Sequence, residues 1–180
     1  ISREGNGNHA SPRAAVLNAR ILWTFSSAYR NFGLEKYRIL ADRAADYYIN
    51  HFIDKEYGGV FWTVTPEGGI EDGTKQTYAA AFGIYSLSEH FRVTGDRKSL
   101  DAALTIYRTL EEKVHDKTKG GYLEVFSRDF KDNSKGQAAT SGFCKTMNTH
   151  IHVMEAFTTL YQVWPDPELK NNIIELIGIL

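Results

Sequence analysis

The sequence contains little cysteine, little proline and no long hydrophobic run among its 180 residues. The one cysteine, Cys144, cannot form an internal disulfide, and a lone cysteine is more often a small buried apolar side chain than a nucleophile. No apolar run approaches the roughly 20 residues that span a bilayer, and residues 1–13 lack the apolar stretch of a secretion signal. These absences predict a cytoplasmic protein that does not enter a membrane.

An excess of charge of one sign is also missing, because 21 lysines and arginines stand against 22 aspartates and glutamates and leave a net charge of -1. This balance does not supply the basic surface that neutralises a run of phosphates, so nucleic acid is not an expected partner. Aromatic side chains, by contrast, are abundant at 13% of the residues, beside only 4 prolines. The composition predicts helices that pack through large rings.

The strongest pattern is an internal repeat of about sixty residues. DKEYGG at residues 54–59 recurs as DKTKGG at residues 116–121, an offset of 62, and the same offset relates Gly33 to Gly95. A third unit begins within NTHIHVMEAFTTLYQVW at residues 148–164. Matches at one shared offset are hard to obtain by chance, so the chain is predicted to consist of about three similar units.

Each unit is predicted to contain two helices followed by a glycine turn. In the first unit a helix over 17–32 ends at Gly33, and a second over 35–52 is apolar on one face only. QTYAAAFGIYSLSEHF in the second unit is apolar almost all round, which requires cover on every side. First helices therefore form an inner layer and second helices an outer one, while GGVFWTV and GGYLEVF are predicted to be short strands or hairpins between units.

Alternating inner and outer helices describe an all-α toroid, in which helical hairpins with short β-hairpins between them stand in a ring. Residues 1–180 would supply about three hairpins. The final segment, NNIIELIGIL, is apolar and lacks a stop signal, which a natural domain seldom leaves exposed. We expect residues 1–180 to form a single domain that is the N-terminal half of a larger toroid. The alternative is that a partner covers this apolar segment.

Polar residues on the inner helices are the candidates for a functional site. Arg20, Thr24 and Ser27 recur at helical spacing and form a polar stripe on an otherwise apolar helix. An arginine in such a place either pairs with an acidic residue of a neighbouring helix or serves a ligand, and the residues alone leave both open.

On the third inner helix, Asn148 and His152 are four residues apart and share a face, whereas His150 points about 200° away from His152. The two histidines therefore cannot bind one metal ion together. Each could equally be a hydrogen-bonded core residue, and Asn148 could be a helix N-cap. The remaining histidines are expected in tail, loop or outer positions, without a role: His9, His51, His90 and His115.

Tyr78 begins the second inner helix and would present its phenol to the axis of the ring. It could also be ordinary packing, as could Trp23 and Trp62. Aromatic faces with a few fixed polar groups are nevertheless the composition of a sugar pocket, because pyranose C–H faces stack on rings and hydroxyls need donors and acceptors.

Three blocks, NARILWTFSSAYR, KQTYAAAFGIYSLSEHFRVTG and KTMNTHIHVMEAFTTLY, carry a specific resemblance. In their order and spacing the chain resembles the N-acylglucosamine 2-epimerase superfamily, most of all its cellobiose 2-epimerase branch, over nearly its whole length. The resemblance implies an (α/α)6 barrel of which about half is missing here.

The same resemblance implies site residues where the motifs match. The arginine of the family's R-x-L-W block falls on Arg20, the tyrosine of its Q-T-Y-A block on Tyr78, and the asparagine and histidine of its N-T-H-x-H block on Asn148 and His152. It implies that all four line the sugar pocket, with Arg20 and His152 in catalytic roles and Tyr78 and Asn148 binding substrate. The two catalytic histidines of the family belong to later repeats that residues 1–180 do not contain.

The implied reaction is epimerisation at C2 of the reducing-end sugar of a β-1,4-linked disaccharide such as cellobiose. It needs no metal and no other cofactor. The expected partners are a small sugar and, in a homodimer, a second copy of the chain.

Alternative functions are an N-acylglucosamine or mannose 2-epimerase or isomerase of the same superfamily, a glycoside hydrolase on the same toroid, and a non-catalytic scaffold. A hydrolase needs two carboxylates that flank one bond, and no two acidic residues pair on an inner-helix face.

Overall fold

The computed structural model describes residues 8–133 and 144–180. Within them the helices are α1 (Ala15–Phe32), α2 (Glu35–His51), α3 (Thr77–Thr94), α4 (Arg97–Lys113), α5 (Met147–Tyr161) and α6 (Pro167–Ile179). The strands there are β1 (Arg13–Ala14), β2 (Thr63–Val64), β3 (Ile70–Asp72), β4 (Lys75–Gln76) and β5 (Val125–Phe126). This helical architecture with short β segments confirms the predicted fold class.

Helix boundaries follow from end signals in the sequence. Gly33 and Gly95 end α1 and α3 in the left-handed conformation, at φ 64° and 74°, which glycine adopts without steric cost. The side chains of Asp96, Thr146 and Asp166 accept hydrogen bonds from backbone N–H groups in the first turns of α4, α5 and α6. These caps separate each helix from the next within its hairpin or unit.

The helices form two layers. α3 lies between α1 and α5 and packs against both, and α2, α4 and α6 lie outside them. Twelve of the 18 residues of α3 are buried, against three of the 17 residues of α2. The all-round apolar character of α3 and the one-sided character of α2 thus produce the predicted inner and outer layers.

Aromatic rings connect the layers. The ring of Tyr107 on α4 meets the ring of Phe157 on α5 edge to face, with centroids 5.2 Å apart. The Tyr107 hydroxyl also accepts a hydrogen bond of 3.0 Å from the amide of Asn172 on α6. One outer tyrosine therefore joins three helices, which agrees with the packing through large rings that the composition predicts.

The strands repeat with the same offset as the sequence. β1 pairs antiparallel with β2, with Arg13 opposite Val64, and β4 pairs antiparallel with β5, with Lys75 opposite Phe126. Each residue of the second pair lies 62 positions after its counterpart in the first. Each β pair therefore returns the chain from the end of a unit to the start of the inner helix of that unit.

Only the last two residues of GGVFWTV and GGYLEVF belong to strands, so the predicted hairpins are shorter than expected. The glycines form tight turns, which are closed by isolated bridges between Ile53 and Val60 and between His115 and Tyr122. The positive φ angles of the glycines explain the difference, because they reverse the chain before a ladder can form.

The first of these turns, at residues 54–59, is called the Asp54 turn here. The N–H of Asp54 donates to the carbonyl of Gly59 (3.0 Å) and the N–H of Gly58 to that of Asp54 (2.9 Å). The Nζ of Lys75, just before α3, lies 2.8 Å from Oδ2 of Asp54, with both side chains almost fully buried. The turn is thereby joined to the start of the next inner helix.

The Asp116 turn, at residues 116–121, has the same construction. The N–H of Asp116 donates to the carbonyl of Gly121 (2.8 Å) and the N–H of Gly120 to that of Asp116 (2.7 Å). The Nζ of Lys145, just before α5, lies 2.6 Å from Oδ2 of Asp116. The repeat in sequence is thus a repeat of hydrogen bonds and of one ion pair.

Two sequence predictions about burial are wrong. Cys144 is exposed, because it lies just before α5, where its backbone carbonyl accepts a hydrogen bond from the N–H of Glu124 (3.1 Å) and its side chain does not reach the core. His90 is not in a tail, loop or outer position but is buried in the inner helix α3. Its ring nitrogens lie 2.8 Å from the hydroxyl of Ser99 and 3.0 Å from Oδ1 of Asp42, so polar groups of α2 and of α4 satisfy it.

Candidate active site

Three residues at equivalent positions of the inner helices meet near the axis. Phe82 on α3 lies 62 residues after Arg20 on α1, and His152 on α5 lies 70 residues after Phe82. The guanidinium carbon of Arg20 is 4.7 Å from the centre of the Phe82 ring, and the imidazole of His152 is 4.8 Å from it on the α5 side. The three helices therefore bring one position each to the same height.

Tyr78 joins this group from one turn closer to the start of α3. Its ring stands edge to face against the His152 imidazole, with centroids 4.9 Å apart and planes at 89°. We call Arg20, Tyr78, Phe82 and His152 the axial cluster. The structure thus brings together three of the four residues that were predicted to form the site, around a phenylalanine that was not predicted.

Asn148, the fourth predicted residue, lies on α5 one turn before His152. It is exposed, and within the described parts of the chain its side chain makes no hydrogen bond or ring contact with the axial cluster. It is not the helix cap, because the hydroxyl of Thr146 fills that role and accepts from the N–H of Thr149. Asn148 therefore shares the helix face of His152, as its spacing predicts, and its amide is available to a ligand.

Arg20 does not form the ion pair that was its structural alternative. Its side chain is exposed, and no carboxylate in residues 8–133 or 144–180 pairs with it. Its contact is with the face of Phe82, and a cation in such a place gains only about 0.5–1 kcal/mol when exposed. The positive charge of Arg20 is therefore available for a negatively charged or polarised oxygen.

Glu124 holds the starts of α3 and α5 side by side. Its backbone carbonyl accepts from the N–H of Thr77 (2.9 Å), and its buried carboxylate accepts from the N–H of Thr146 (2.7 Å) and the hydroxyl of Thr149 (2.6 Å). A carboxylate at a helix N-terminus is also favoured by the helix dipole. This residue therefore fixes the starts of the two helices that carry Tyr78, Phe82 and His152.

The two lysines that pair with the aspartate turns lie at equivalent positions, just before inner helices. Lys75 lies three residues before Tyr78, and Lys145 lies three residues before Asn148. Each lysine is bound by the aspartate of its turn just outside the first turn of an inner helix. Each of the two predicted substrate-binding residues thus lies three residues after a lysine that is tied to an aspartate turn.

One turn further along the inner helices lies a second row of equivalent residues. Trp23 on α1 stacks on Tyr85 on α3, with centroids 5.4 Å apart and planes at 14°. The third member of the row, on α5, is Glu155. Burial raises the pKa of Tyr85, and the negative charges of Glu155 and Glu89 raise it further, so its phenol stays neutral. Stacked rings therefore lie next to the axial cluster, as a sugar pocket needs.

His150 differs from His152 in its burial and in the partner of its Nε2. It is buried, its Nδ1 lies 2.7 Å from the carbonyl of Thr146, and its Nε2 accepts a hydrogen bond of 3.0 Å from the N–H of Tyr122. Both ring nitrogens are therefore occupied. The core interpretation holds for His150, and the two histidines do not approach one metal site.

Three carboxylates on or beside the inner helices each have a partner in the structure. Glu89 pairs with Arg30 at 2.9 Å, Glu155 lies against His152, and Glu124 is bound by backbone and hydroxyl groups. In the described residues no group of three or more histidine, cysteine or acidic side chains could hold a metal ion. Nor is any helix of that part of the chain long and apolar enough to cross a bilayer.

A groove of about 630 Å³ lies away from the axial cluster, between α1 and α2. Its lining includes the exposed apolar side chains of Ile21 and Leu40 beside the charged Arg43 and Asp46. The groove has the mixed polar and apolar surface of an open helix edge, and none of the residues of the axial cluster lines it. We therefore place the candidate site at the axial cluster.

Phe82 and Glu155 were missed as site residues, although the sequence contains a signal for both. Phe82 lies 62 positions after Arg20 in the sequence, and His152 lies 70 positions after Phe82. The same offsets applied to Trp23 give Tyr85 and then Glu155. The repeat that predicts the helices thus also aligns the residues of their inner faces.

An inner and an outer layer of helices, joined by short β pairs and carrying a polar cluster on the inner layer, define a protein of the (α/α)6 class. The family model described as N-acylglucosamine 2-epimerase (GlcNAc 2-epimerase) matches residues 1–179, and the chain belongs to this family.

Individual relatives agree with that assignment. The chain is 43% identical over 173 residues to a cellobiose 2-epimerase of Bacteroides fragilis, a match that covers 93% of the chain and 44% of the relative. The solved cellobiose 2-epimerase of Bacillus thermoamylovorans superposes with a TM-score of 0.92 at 34% identity, over 98% of this chain and 46% of that one. A D-mannose isomerase, at a TM-score of 0.77 and 21% identity over 98% and 46% of the two chains, shares the fold. The chain thus spans less than half the length of the relatives it matches.

Proposed function

We propose that the protein containing this chain is a carbohydrate 2-epimerase that interconverts C2 epimers at the reducing end of a β-1,4-linked disaccharide, converting cellobiose to glucosyl-mannose. The observation that carries the proposal is the axial cluster, in which the phenol of Tyr78, the imidazole of His152 and an arginine that pairs with no carboxylate among the described residues lie around the ring of Phe82. The identity with cellobiose 2-epimerases supports this choice of substrate.

The reaction begins when the reducing-end ring opens to an aldehyde. A base then removes the C2 proton, and the electron pair moves to the C1 carbonyl oxygen to give an enediolate. After rotation about C2–C3 a proton that can come from solvent is added to the opposite face of C2 and the ring closes, so the product is an isomer of the substrate. Imidazole suits both proton steps because its ordinary pKa, about 6.5, lies near neutral pH.

The residues of the site have separate roles in this scheme. Arg20 remains protonated and stabilises the negative charge that develops on the substrate oxygen. His152 and Tyr78 hold hydroxyls or assist ring opening, and Asn148 binds a hydroxyl from the same face of α5. The histidine pair that moves the C2 proton is expected from a part of the whole protein outside residues 1–180.

The chain is proposed to form three successive hairpins of a six-hairpin ring. Apolar side chains are exposed at both edges of the half-ring: Leu17, Ile21, Phe32, Leu34, Ile39 and Leu40 on the α1–α2 side, and Ile174, Ile177, Ile179 and Leu180 on α6. Patches of this kind mark surfaces that are covered in the working protein. Backbone amides of α2 and α6 should exchange hydrogen more slowly in the whole protein than in the isolated chain; equal exchange would contradict the ring.

Incubation of the whole protein with cellobiose in heavy water tests the function. Epimerisation installs deuterium at C2 of the reducing-end sugar, hydrolysis releases glucose, and a scaffold leaves the sugar unchanged. Parallel incubations with mannose and N-acetylglucosamine separate the other members of the superfamily. Absence of C2 label with every aldose tried would overturn the proposal.

Arg20→Lys tests the role of the guanidinium. The substitution keeps the charge but removes the planar fork, so turnover should fall more than tenfold, which corresponds to more than about 1.4 kcal/mol in the barrier. Arg108→Lys, at an exposed position on the outer helix α4, is the matched control and should leave turnover unchanged. Unchanged kinetics in Arg20→Lys would return Arg20 to a packing role.

Two further expectations stay predictions. A homodimer is to be tested by sedimentation of the whole protein, where a monomer at all concentrations would contradict it. A cytoplasmic location is to be tested by fractionation of the source cells.

A further inference from the structure

The contact between Glu155 and His152 determines which ring nitrogen of the histidine carries a proton. Oε2 of Glu155 lies 2.8 Å from Nδ1 of His152, one turn away on the same face of α5. A carboxylate can only accept hydrogen bonds, so Nδ1 must be the protonated nitrogen in this contact. In neutral imidazole the other nitrogen, Nε2, is then an acceptor.

The orientation of the imidazole is set by its neighbours on α3. The ring edge of Tyr78 and the ring of Phe82 contact it at centroid distances of 4.9 and 4.8 Å. With Nδ1 bound to Glu155, the plane and the tautomer of His152 are both determined. Within the described residues Nε2 of His152 has no hydrogen-bond partner, and about a fifth of the side chain is exposed. This nitrogen is therefore free to meet a ligand.

His150, two residues earlier, provides the contrast within the same helix. It also has Nδ1 close to an acceptor, the carbonyl of Thr146, but its Nε2 is filled by the N–H of Tyr122. A backbone carbonyl thus positions the structural histidine, whereas a side-chain carboxylate positions the one in the axial cluster. A carboxylate also balances a positive charge on the imidazole, which a carbonyl does only weakly.

Glu155 also departs from its counterparts in the repeat. The equivalent residues on α1 and α3, Trp23 and Tyr85, stack on each other and make no contact of this kind with the residues one turn before them. Where the first two inner helices carry rings, the third carries a charge next to the histidine. The pKa of Tyr85 is raised mainly by burial and further by the negative charge of Glu155. This effect agrees with a Glu155 carboxylate that lies near Tyr85.

We propose that Glu155 is a positioning residue, which holds neutral His152 as the Nδ1–H tautomer so that Nε2 accepts a hydrogen bond from a hydroxyl of the bound sugar. The role of the sugar rests on the proposed function, whereas the tautomer does not. Glu155 acts through His152 and takes no proton from the substrate.

The test compares Glu155→Gln with Glu112→Gln in the whole protein. Glu112 is an exposed glutamate on the outer helix α4 and serves as the matched control. Nitrogen-15 NMR of labelled histidines at about pH 8, where an ordinary imidazole is neutral, reports the tautomer. The His152 signals are identified by their loss in a His152→Gln variant.

We expect the unaltered protein and Glu112→Gln to show the Nδ1–H tautomer of His152, and Glu155→Gln to show a mixture, because an amide can donate as well as accept. With cellobiose, kcat of Glu155→Gln should fall by about tenfold or more while KM changes much less, as found when an imidazole loses its outer partner. Glu155→Asp keeps the charge on a shorter arm and should recover part of both signals.

An unchanged tautomer in Glu155→Gln overturns the proposal, even if kcat falls, because Glu155 would then act by another route. A changed tautomer with unchanged kcat also overturns it. Should Glu155→Gln fail to fold, the His152 tautomer and kcat measured on Glu155→Asp decide whether the proposal stands. If the unaltered protein epimerises no sugar, the proposed function fails, and the tautomer measurement still shows separately whether Glu155 positions His152.

Discussion

The Asp54 turn and the Asp116 turn have the same backbone hydrogen bonds but different surroundings. Side chains of the Lys75–Asp54 pair are 4% and 1% exposed, whereas those of the Lys145–Asp116 pair are 22% and 17% exposed. Arg128 adds a second cation to Asp54, with Nε 2.9 Å from Oδ2. The same local sequence therefore gives the same turn, while the neighbouring unit decides how deeply the ion pair is buried.

Aromatic residues account for much of the difference. The ammonium of Lys75 lies 4.5 Å from the centre of the Phe61 ring and 5.9 Å from that of Phe130. Burial lowers the pKa of Lys75, which its hydrogen bond with Asp54 opposes. A buried cation of this kind depends on its partner more than a half-exposed one does, and the two turns can be used to measure that dependence.

Asp54→Ala should have the largest effect. It leaves the Lys75 ammonium buried without its carboxylate, and breaking a buried pair in this way costs about 3–5 kcal/mol in the free energy of unfolding. Asp116→Ala is the matched variant and should cost less, because water reaches Lys145. Urea unfolding of both variants measures the difference, and equal losses would contradict the role of burial.

Gly121→Ala should come next, with Gly59→Ala as its counterpart in the first unit. Both glycines have φ near +70°, which costs an alanine about 1–2 kcal/mol. A Cβ at Gly121 would also lie 2.5 Å from Nε2 of His150 and break its hydrogen bond with Tyr122, so the total should reach about 3 kcal/mol.

At Gly59 the nearest contact of the added Cβ would be the edge of Phe130, at 3.0 Å. That ring can turn, whereas His150 is held at both nitrogens. The melting temperature of Gly121→Ala should therefore be lower than that of Gly59→Ala. The reverse order would show that the His150 ring moves more easily than its hydrogen bonds suggest.

The acid dependence of stability should show the smallest effect. Although burial alone would raise the pKa of Asp54, hydrogen bonds from Arg128 and Lys75 hold it well below its ordinary value. Its stabilising contribution is therefore complete above the unfolded pKa of about 3.9 and declines as pH falls below that value, by at most about 1.4 kcal/mol per pH unit.

In Asp54→Asn this contribution is absent, so the gap in stability between it and the unaltered protein should narrow as pH falls from neutral to below about 4. Hydrogen bonds from Lys145 and Thr118 lower the pKa of Asp116 as well, so Asp116→Asn should behave in the same direction. Urea unfolding at several pH values checks both variants, and a constant gap for Asp54→Asn would contradict the charged pair.

The sequence predicted the helices well because their signals are local. Gly33 and Gly95 end helices at a fixed φ, and the apolar residues of α3 recur on every face. The site residues that the motifs indicated, Arg20, Tyr78 and His152, also lie together.

What could not be predicted depends on partners that are distant in the chain. The burial of His90 is stabilised by Asp42, 48 residues away, and the exposure of Cys144 depends on how its backbone pairs with Glu124. Neither is visible in periodicity. Phe82 reads as an ordinary packing residue until its ring is placed between Arg20 and His152.

Arg20, Phe82 and His152 occupy one backbone position that the repeat has presented three times. On α3 and α5, Glu124 and the two aspartate turns hold the helix starts from outside the axis, so those starts do not depend on the side chain at this position. A ring on α3 and an imidazole on α5 therefore occupy the same repeat position without taking part in the contacts that anchor their helix starts. The chemistry of the axial cluster and the anchoring of α3 and α5 thus rest on different residues, so a substitution in the cluster can change one without the other.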